Sequence, residues 1–245
     1  MDRAAIVTHY SRSPVLSRSL ITLITELRAH GYEVVMSSAC EADAALDWRG
    51  AEVQSTTTIV RKPNVGYDFG SAAVALDLFP QLAMSRRVLV VNDSNVGPFR
   101  ALDEVIDNFE GSGTDAWALT SSGQHGYHLQ SFFLGFSSGV LREPTLRGFW
   151  REIRHVDRKD SIVKRYEVGL SALLEEEGFS VRSMFSPASF DAAPNANLST
   201  AYWLDLLIEG YPFVKRSFLQ SSTEANALAS AAVRSLFGED LAAWT

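Results

Sequence analysis

The stretch Arg87-Val88-Leu89-Val90-Val91-Asn92-Asp93-Ser94-Asn95 decides the fold class. Four aliphatic residues in succession, with no alternating polar positions, suit a strand covered on both faces, as in a parallel sheet flanked by helices. The run stops at short oxygen-bearing side chains, followed by Val96-Gly97-Pro98. In an open α/β sheet, ligands bind just beyond the carboxyl ends of the strands. Asn92, Asp93 and Ser94, delivered there by a stiff core strand, can hold a hard cation or the hydroxyls of a sugar. The blander role for the same residues is an Asx turn or a cap for the next helix.

Outward from this strand, the pattern alternates strand and helix, the signature of a parallel sheet with crossover helices. Strands are expected at residues 4–10, 33–36, 57–60, 116–119, 131–136 and 179–185. Leu16, Leu20, Leu23, Ile24 and Leu27 recur at helical spacing and predict a helix over 14–30, with Pro14 in its first turn. Further helices are expected at 41–48, from the loop 62–70 to about 84, and at 102–109, 144–155, 160–177, 200–209 and 223–236. An extended piece is expected at 212–219. The Pro, Ala and Asn residues of 187–197 suit a loop beside a pocket, a common lid arrangement. With no internal repeat and no linker, the expectation is one α/β domain with a Rossmann-type, mostly parallel sheet. Residues 1–122 and 123–245 would form its two halves.

The 245 residues are 46% hydrophobic and 21% charged, an ordinary globular composition. A net charge of −7, with no basic stripe, argues against nucleic acid as a partner. The single Cys40 allows neither an internal disulfide nor a cysteine zinc site and suits a reducing compartment. No signal peptide or membrane-length apolar run is apparent. A cytoplasmic protein is expected, meeting any lipid-linked substrate from outside the bilayer, at the inner face of the membrane.

Three further stretches carry candidate chemistry. In Arg61-Lys62-Pro63-Asn64-Val65-Gly66-Tyr67-Asp68-Phe69-Gly70, Gly66 and Gly70 permit tight turns or close ligand approach. Asp68 either caps the following helix or, with Asn64, faces the pocket. In His125-Gly126-Tyr127-His128-Leu129-Gln130-Ser131-Phe132-Phe133, the histidine spacing matches no zinc pattern. His128 and Gln130 either read a sugar or phosphate at the strand mouth or pair with nearby protein groups. In Tyr166-Glu167-Val168-Gly169-Leu170-Ser171, Glu167 falls on or beside the apolar helix face. A carboxylate there is costly unless it is paired or used as a general base, and Arg165 is the obvious pairing partner.

Taken in order, these segments resemble the rhamnan synthesis F family of bacterial polysaccharide glycosyltransferases. The pieces that carry the likeness are Asn64 to Gly70 after Arg61, Val91-Asn92-Asp93-Ser94 with Gly97-Pro98-Phe99, and Asp115-Ala116-Trp117-Ala118-Leu119-Thr120. They continue with His128 to Phe133, Tyr166 to Ser171, and Gly210-Tyr211-Pro212-Phe213-Val214-Lys215-Arg216. The resemblance implies a GT-A-like fold and a nucleotide-diphospho-sugar donor, with dTDP-rhamnose the natural guess. It implies a glycan or lipid-linked acceptor of a cell-wall or surface polysaccharide. Asp93-Ser94-Asn95 stands where the fold carries an Asp-x-Asp, so Asp93 and Asn95 are the expected ligands of Mg²⁺ or Mn²⁺. Lys215 and Arg216 would supply further positive charge to the diphosphate. Thr8, His9 and Tyr10 would lie near the base, and Asn92, Asp93 and Ser94 near ribose and phosphate. Arg61, Asn64, Gly66, Asp68, His128 and Gln130 would complete the donor site, with Glu167 as the base of an inverting transfer. The competing readings are a non-catalytic glycan- or partner-binding module of the same fold, and another nucleotide-sugar enzyme.

Overall fold

The computed structural model describes residues 2–137, 139–154, 163–219 and 223–245. Strands β1 (Arg3–Ser11), β2 (Glu33–Cys40), β3 (Thr57–Arg61) and β4 (Arg87–Asn92) lie side by side in the order β3-β2-β1-β4, all parallel. A short β5 (Asn95–Val96) follows β4, and the main sheet continues through β6 (Ala116–Ser122), β7 (His128–Leu129) and β8 (Phe133–Ser137). Strand β8 inserts antiparallel between β4 and β6. Strand β9 (Val181–Phe185) pairs parallel with β6. A second, two-stranded sheet joins β5 to β10 (Val214–Lys215).

The uninterrupted aliphatic run of β4 is explained by its place in the middle. Leu89 and Val91 enter one core with Leu20, Leu23, Ile24 and Leu27 of helix α1 (Arg18–Ala29). Val88 and Val90 enter a second core with Phe69, Ala72 and Ala75 of helix α2 (Tyr67–Leu78). A strand buried on both faces needs no polar alternation. The main sheet is therefore sandwiched between helical layers, the expected α/β architecture.

Local differences have local causes. Helix α1 starts at Arg18 rather than at 14, because Ser17 caps it by accepting from the Leu20 N–H at 3.2 Å. Pro14 lies upstream, its carbonyl accepting from the Asp47 N–H at 2.8 Å. Residues 41–48 form no helix. The Leu16 N–H donates to the Asp47 carbonyl at 3.0 Å, and Leu46 and Trp48 are drawn into the core. The expected helix over 200–209 is two short pieces, Leu198–Ala201 and Trp203–Ile208.

Helix α3 (Asp103–Glu110) is as expected, and α4 spans Pro144–Arg151. His155 and residues 160–162, which the sequence pattern places in helices, lie outside the described residues. From Val163 to Val168 the backbone is a π-helical turn leading into helix Gly169–Glu176. Helix Thr223–Phe237 packs Ala229 and Val233 against Val96, Phe99, Leu207, Val214, Leu241 and Trp244. This C-terminal helix thus closes a third core, with Leu228 and Leu236 left exposed.

The chain leaving β5 is held by helix α1. Ser19 of α1 donates its hydroxyl to the Gly97 carbonyl at 2.8 Å and accepts from the Gly97 N–H at 3.1 Å. Gly97 sits at φ +129°, and a Cβ there would meet the Pro212 carbonyl oxygen at 2.4 Å. Gly97→Ala is therefore expected to destabilise the protein by about 2–4 kcal/mol, through backbone strain and overpacking together. Urea unfolding midpoints of the two proteins check this.

Candidate active site

The carboxyl ends of β1 and β4 are in register, Thr8 opposite Asn92. Thr8 Oγ1 lies 3.4 Å from both the Val91 carbonyl and Asp68 Oδ1. Asp68 is delivered by the first turn of α2, and of its two expected roles capping is not the one it takes. Gly66, at φ +80°, occupies the cap and Asp68 sits in the first turn. The loop before α2 is drawn tight by Lys62, whose Nζ donates to the carbonyls of Pro63 at 2.7 Å and Val65 at 2.9 Å. A Cβ on Gly70 would lie 2.6 Å from the Val65 carbonyl oxygen. Gly70→Ala should thus shift the loop that aims Asp68, costing about 1–3 kcal/mol of stability and donor affinity with it. Calorimetric unfolding alongside nucleotide titration checks both.

Asp93 projects from the turn after β4, its side chain 17% exposed. The Tyr10 N–H donates to Asp93 Oδ2 at 3.4 Å, and His9 Nε2 lies 4.0 Å from the same oxygen. Arg216 Nε donates to the Asp93 carbonyl at 2.9 Å, and the Arg216 N–H to the Ser94 carbonyl at 2.9 Å. The carboxyl of Asp93 is pushed up to about 7, by burial first and then by the charge of Asp68, against the pull of Arg216. His9 is pushed down to about 4, by burial and then by the charges of Arg216 and Arg61. His9 is therefore neutral near pH 7, with Nδ1 3.0 Å from Ser38 Oγ.

Thr8, His9, Tyr10, Asp68, Asp93 and Arg216 thus form one cluster. The other expected donor-site residues are placed less directly. Asn92 Oδ1 accepts from the Ser94 N–H at 3.0 Å, so its amide makes the Asx turn. Arg61 donates to the carbonyls of Ala42 and Ala44, bracing that segment while its charge still reaches His9. Asn64 is exposed on the loop. Lys215 lies on β10, opposite Asn95. Asn95 is 5% exposed, its Nδ2 donates to Tyr211 Oη at 3.2 Å, and its buried Oδ1 has no hydrogen-bond partner among the described residues.

A second cluster surrounds Glu167, which the π-helical turn presents. Its Oε1 accepts from the Ser131 hydroxyl and, at 3.4 Å, from the Ser131 N–H. Its Oε2 lies 3.6 Å from His128 Nε2. His128 Nδ1 lies 3.0 Å from the Gly126 carbonyl, an acceptor only, so Nδ1 carries the N–H of that bond. The pairing of Glu167 with Arg165 is not what the structure shows. The Arg165 guanidinium lies over the Tyr166 ring at 5.6 Å. Gln130 is committed to β6, its Oε1 accepting from Thr120 Oγ1 at 2.8 Å.

A small cavity lined by Thr8, Asp68, Asn92 and Ser131, with Phe69 and Trp150 as apolar walls, lies between Asp68 of the first cluster and the Ser131 that donates to Glu167. Ser131 is the residue that sequence reasoning missed. It lay inside a stretch singled out for His128 and Gln130, and only the fold reveals that it holds Glu167 and faces Thr8. Among the described residues, no group of three or more His, Cys, Asp or Glu is arranged to hold a metal.

The family model described as rhamnan synthesis protein F matches residues 45–237. The virulence protein VirA of Vibrio anguillarum (strain ATCC 68554 / 775) is 26% identical over 194 residues, which cover 66% of this chain and 62% of that protein. The uncharacterized protein y4gN of Sinorhizobium fredii (strain NBRC 101917 / NGR234) is 28% identical over 134 residues, covering 53% of this chain and 35% of that one. The chain therefore spans less than two thirds of the length of these relatives. Among solved structures, a protein described as a nucleotide-diphospho-sugar transferase from Desulfovibrio desulfuricans G20 superposes with a TM-score of 0.51 at 11% identity. The match covers 96% of this chain and 99% of that one. The likeness is one of fold.

Proposed function

The chain belongs to the rhamnan synthesis protein F family, and from that premise we propose that it is a glycosyltransferase acting on a nucleotide-diphospho-sugar donor. Rhamnose carried on dTDP is the first donor to test. The acceptor would be a glycan or lipid-linked glycan of a cell-wall or surface polysaccharide, met at the cytoplasmic face of the membrane. The observation that carries this reading is the cavity at the carboxyl ends of β1 and β4, whose lining takes Asp68 from the cluster with Asp93 and Arg216, and Ser131, the hydrogen-bond donor to Glu167, from the other.

In this mechanism the diphosphate lies against Arg216, with Lys215 on the adjoining strand, and the base and ribose lie toward Thr8, His9 and Tyr10. The acceptor hydroxyl oxygen forms a bond to the anomeric carbon. The bond from that carbon to the phosphate oxygen breaks, and the nucleoside diphosphate leaves with the electron pair. The acceptor's proton passes to Glu167, held in aim by Ser131 and His128. Arg216 stabilises the charge that develops on the leaving group.

The residues present fit a divalent cation of the Mg²⁺ kind, which is commonly held by one or two carboxylates together with substrate phosphates. Asp93 would hold it, with Asp68 as the second carboxylate. The cation would neutralise diphosphate charge. Its binding would relieve the cost of ionising Asp93, so donor-plus-Mg²⁺ stabilisation is expected to grow as pH rises through about 7. Thermal unfolding at a series of pH values, with Mg²⁺ or EDTA, reads that slope.

The alternative, a binding module without catalysis, draws on the burial of Asn95, which leaves the Asp-x-Asn motif with one outward acid. Turnover separates the two readings. Nucleoside diphosphate release from dTDP-rhamnose and other nucleotide sugars, with envelope glycan as acceptor, is expected to occur with inversion at the anomeric carbon by NMR. Retention would remove the single displacement, and absence of release from every donor would favour the binding module.

A further inference from the structure

A wide groove of about 1110 Å³ runs along α2 beside the segment from Gly139 to Arg154. Its rim is unusual in two respects. Val65, Leu78 and Met84 stand 51%, 56% and 56% exposed along it, although each is a large apolar side chain. Arg142, Arg147, Arg151 and Arg154 are exposed on the facing wall, and no carboxylate among the described residues pairs with any of them. Among the described residues, the acids in the lining are Asp77 and Glu143 alone. A chain of net charge −7 thus gathers positive charge on this one apolar-rimmed face.

Exposed arginines set beside exposed apolar side chains complement a surface that is anionic outside and hydrocarbon within. Guanidinium groups bind phosphate oxygens bidentately, while short apolar side chains enter the headgroup and acyl boundary. We propose that this groove is the face by which the protein docks on an anionic phospholipid bilayer. The four arginines contact lipid phosphates, and Val65, Leu78 and Met84 insert shallowly. The groove also shares Val65, Gly66 and Gly70 with the loop that aims Asp68, and Trp150 with the small cavity between the two clusters. A bilayer seated here would therefore lie next to the proposed transfer site. Docking through this face requires no sugar transfer.

Vesicle co-sedimentation tests it with the whole chain and no donor. Binding is expected to vesicles containing phosphatidylglycerol and not to pure phosphatidylcholine, and to weaken as NaCl is raised. Arg147→Gln with Arg151→Gln should weaken partitioning about 25-fold, taking about fivefold for each arginine near an anionic surface. Leu78→Ser with Met84→Ser should weaken it further at high salt. Arg234→Gln, on the C-terminal helix and paired with Asp240, should leave it unchanged. No binding to anionic vesicles, or unchanged binding by the double arginine variant, overturns the proposal. So does self-association of the chain, or capture of an acidic peptide, that is lost in that variant without any vesicle binding. Nucleotide-induced thermal shifts need no vesicles, so loss of docking and loss of the transferase reading are separately visible.

Discussion

Glu167→Gln is expected to lower sugar transfer by about 10²–10⁴-fold, the usual contribution of a positioned general base. Donor affinity should change by less than about twofold, because the loss falls on the transition state alone. The amide oxygen can still accept from Ser131, so the π-helical turn keeps its anchor and the variant should fold. What disappears is the carboxylate lone pair that takes the acceptor's proton. His128→Gln supplies the companion experiment. It removes the group 3.6 Å from Oε2 and should lower kcat while leaving KM for donor nearly unchanged. Transfer by Glu167→Gln at the wild-type rate would put the base elsewhere. An equal loss in rate and donor affinity would make Glu167 a binding group.

Asp93→Asn is the second large effect, and it runs in opposite directions for stability and function. The folded-state carboxyl is raised from 3.8 to about 7. A raised acid helps folding fully below its unfolded pKa, and that help is lost as pH rises through the folded value. Above pH 7 the free protein therefore carries an ionised, largely buried carboxylate at a cost that asparagine does not incur. At pH 8, Asp93→Asn should gain about 2–4 kcal/mol, since each tenfold change in the acid's proton affinity is worth about 1.4 kcal/mol. That corresponds to a rise of roughly 4–8 °C in Tm for a chain of this size. Near pH 4 the gain should vanish. His9, held down to about 4, gives a slope of opposite sign between about pH 6.5 and 4, but it is present in both proteins. Donor binding with Mg²⁺ and transfer should both be lost. A variant less stable than wild type at pH 8 would show that Asp93 is a structural ion-pair partner rather than a carboxylate kept for a ligand.

The parts of this molecule that were legible in the sequence are those set by local pattern. The aliphatic run of β4 announced a doubly covered strand, and the breaks at Asn92 to Asn95 and Asn64 to Gly70 announced loops at the carboxyl edge. The ordered motifs pointed to the family that the match over residues 45–237 shows. What local pattern could not show was any feature decided by distant partners. The antiparallel insertion of β8 between β4 and β6 depends on pairings across more than forty residues. The segment 41–48 has helical composition, but pairing with residues near Leu16 overrides it. The side chains divide in the same way. Asp68 and Asp93 come together beyond β1 and β4, and Glu167 is held by Ser131 and His128. Asn95 is drawn to Tyr211, and Ser131 gains its role only because Glu167 comes to it from thirty-six residues away.

Nucleotide binding tests the central claim most directly, because it requires neither acceptor nor turnover. Thermal unfolding of the wild-type chain with dTDP, UDP, GDP or CMP, each with Mg²⁺, Mn²⁺ or EDTA, should single out one nucleoside diphosphate. At about 100 times its Kd, that ligand stabilises by about 2.7 kcal/mol, a rise of several degrees in Tm. The Asp93→Asn variant should lose the metal-dependent part of the shift. No shift with any nucleotide at millimolar concentration, with metal present, would contradict the account.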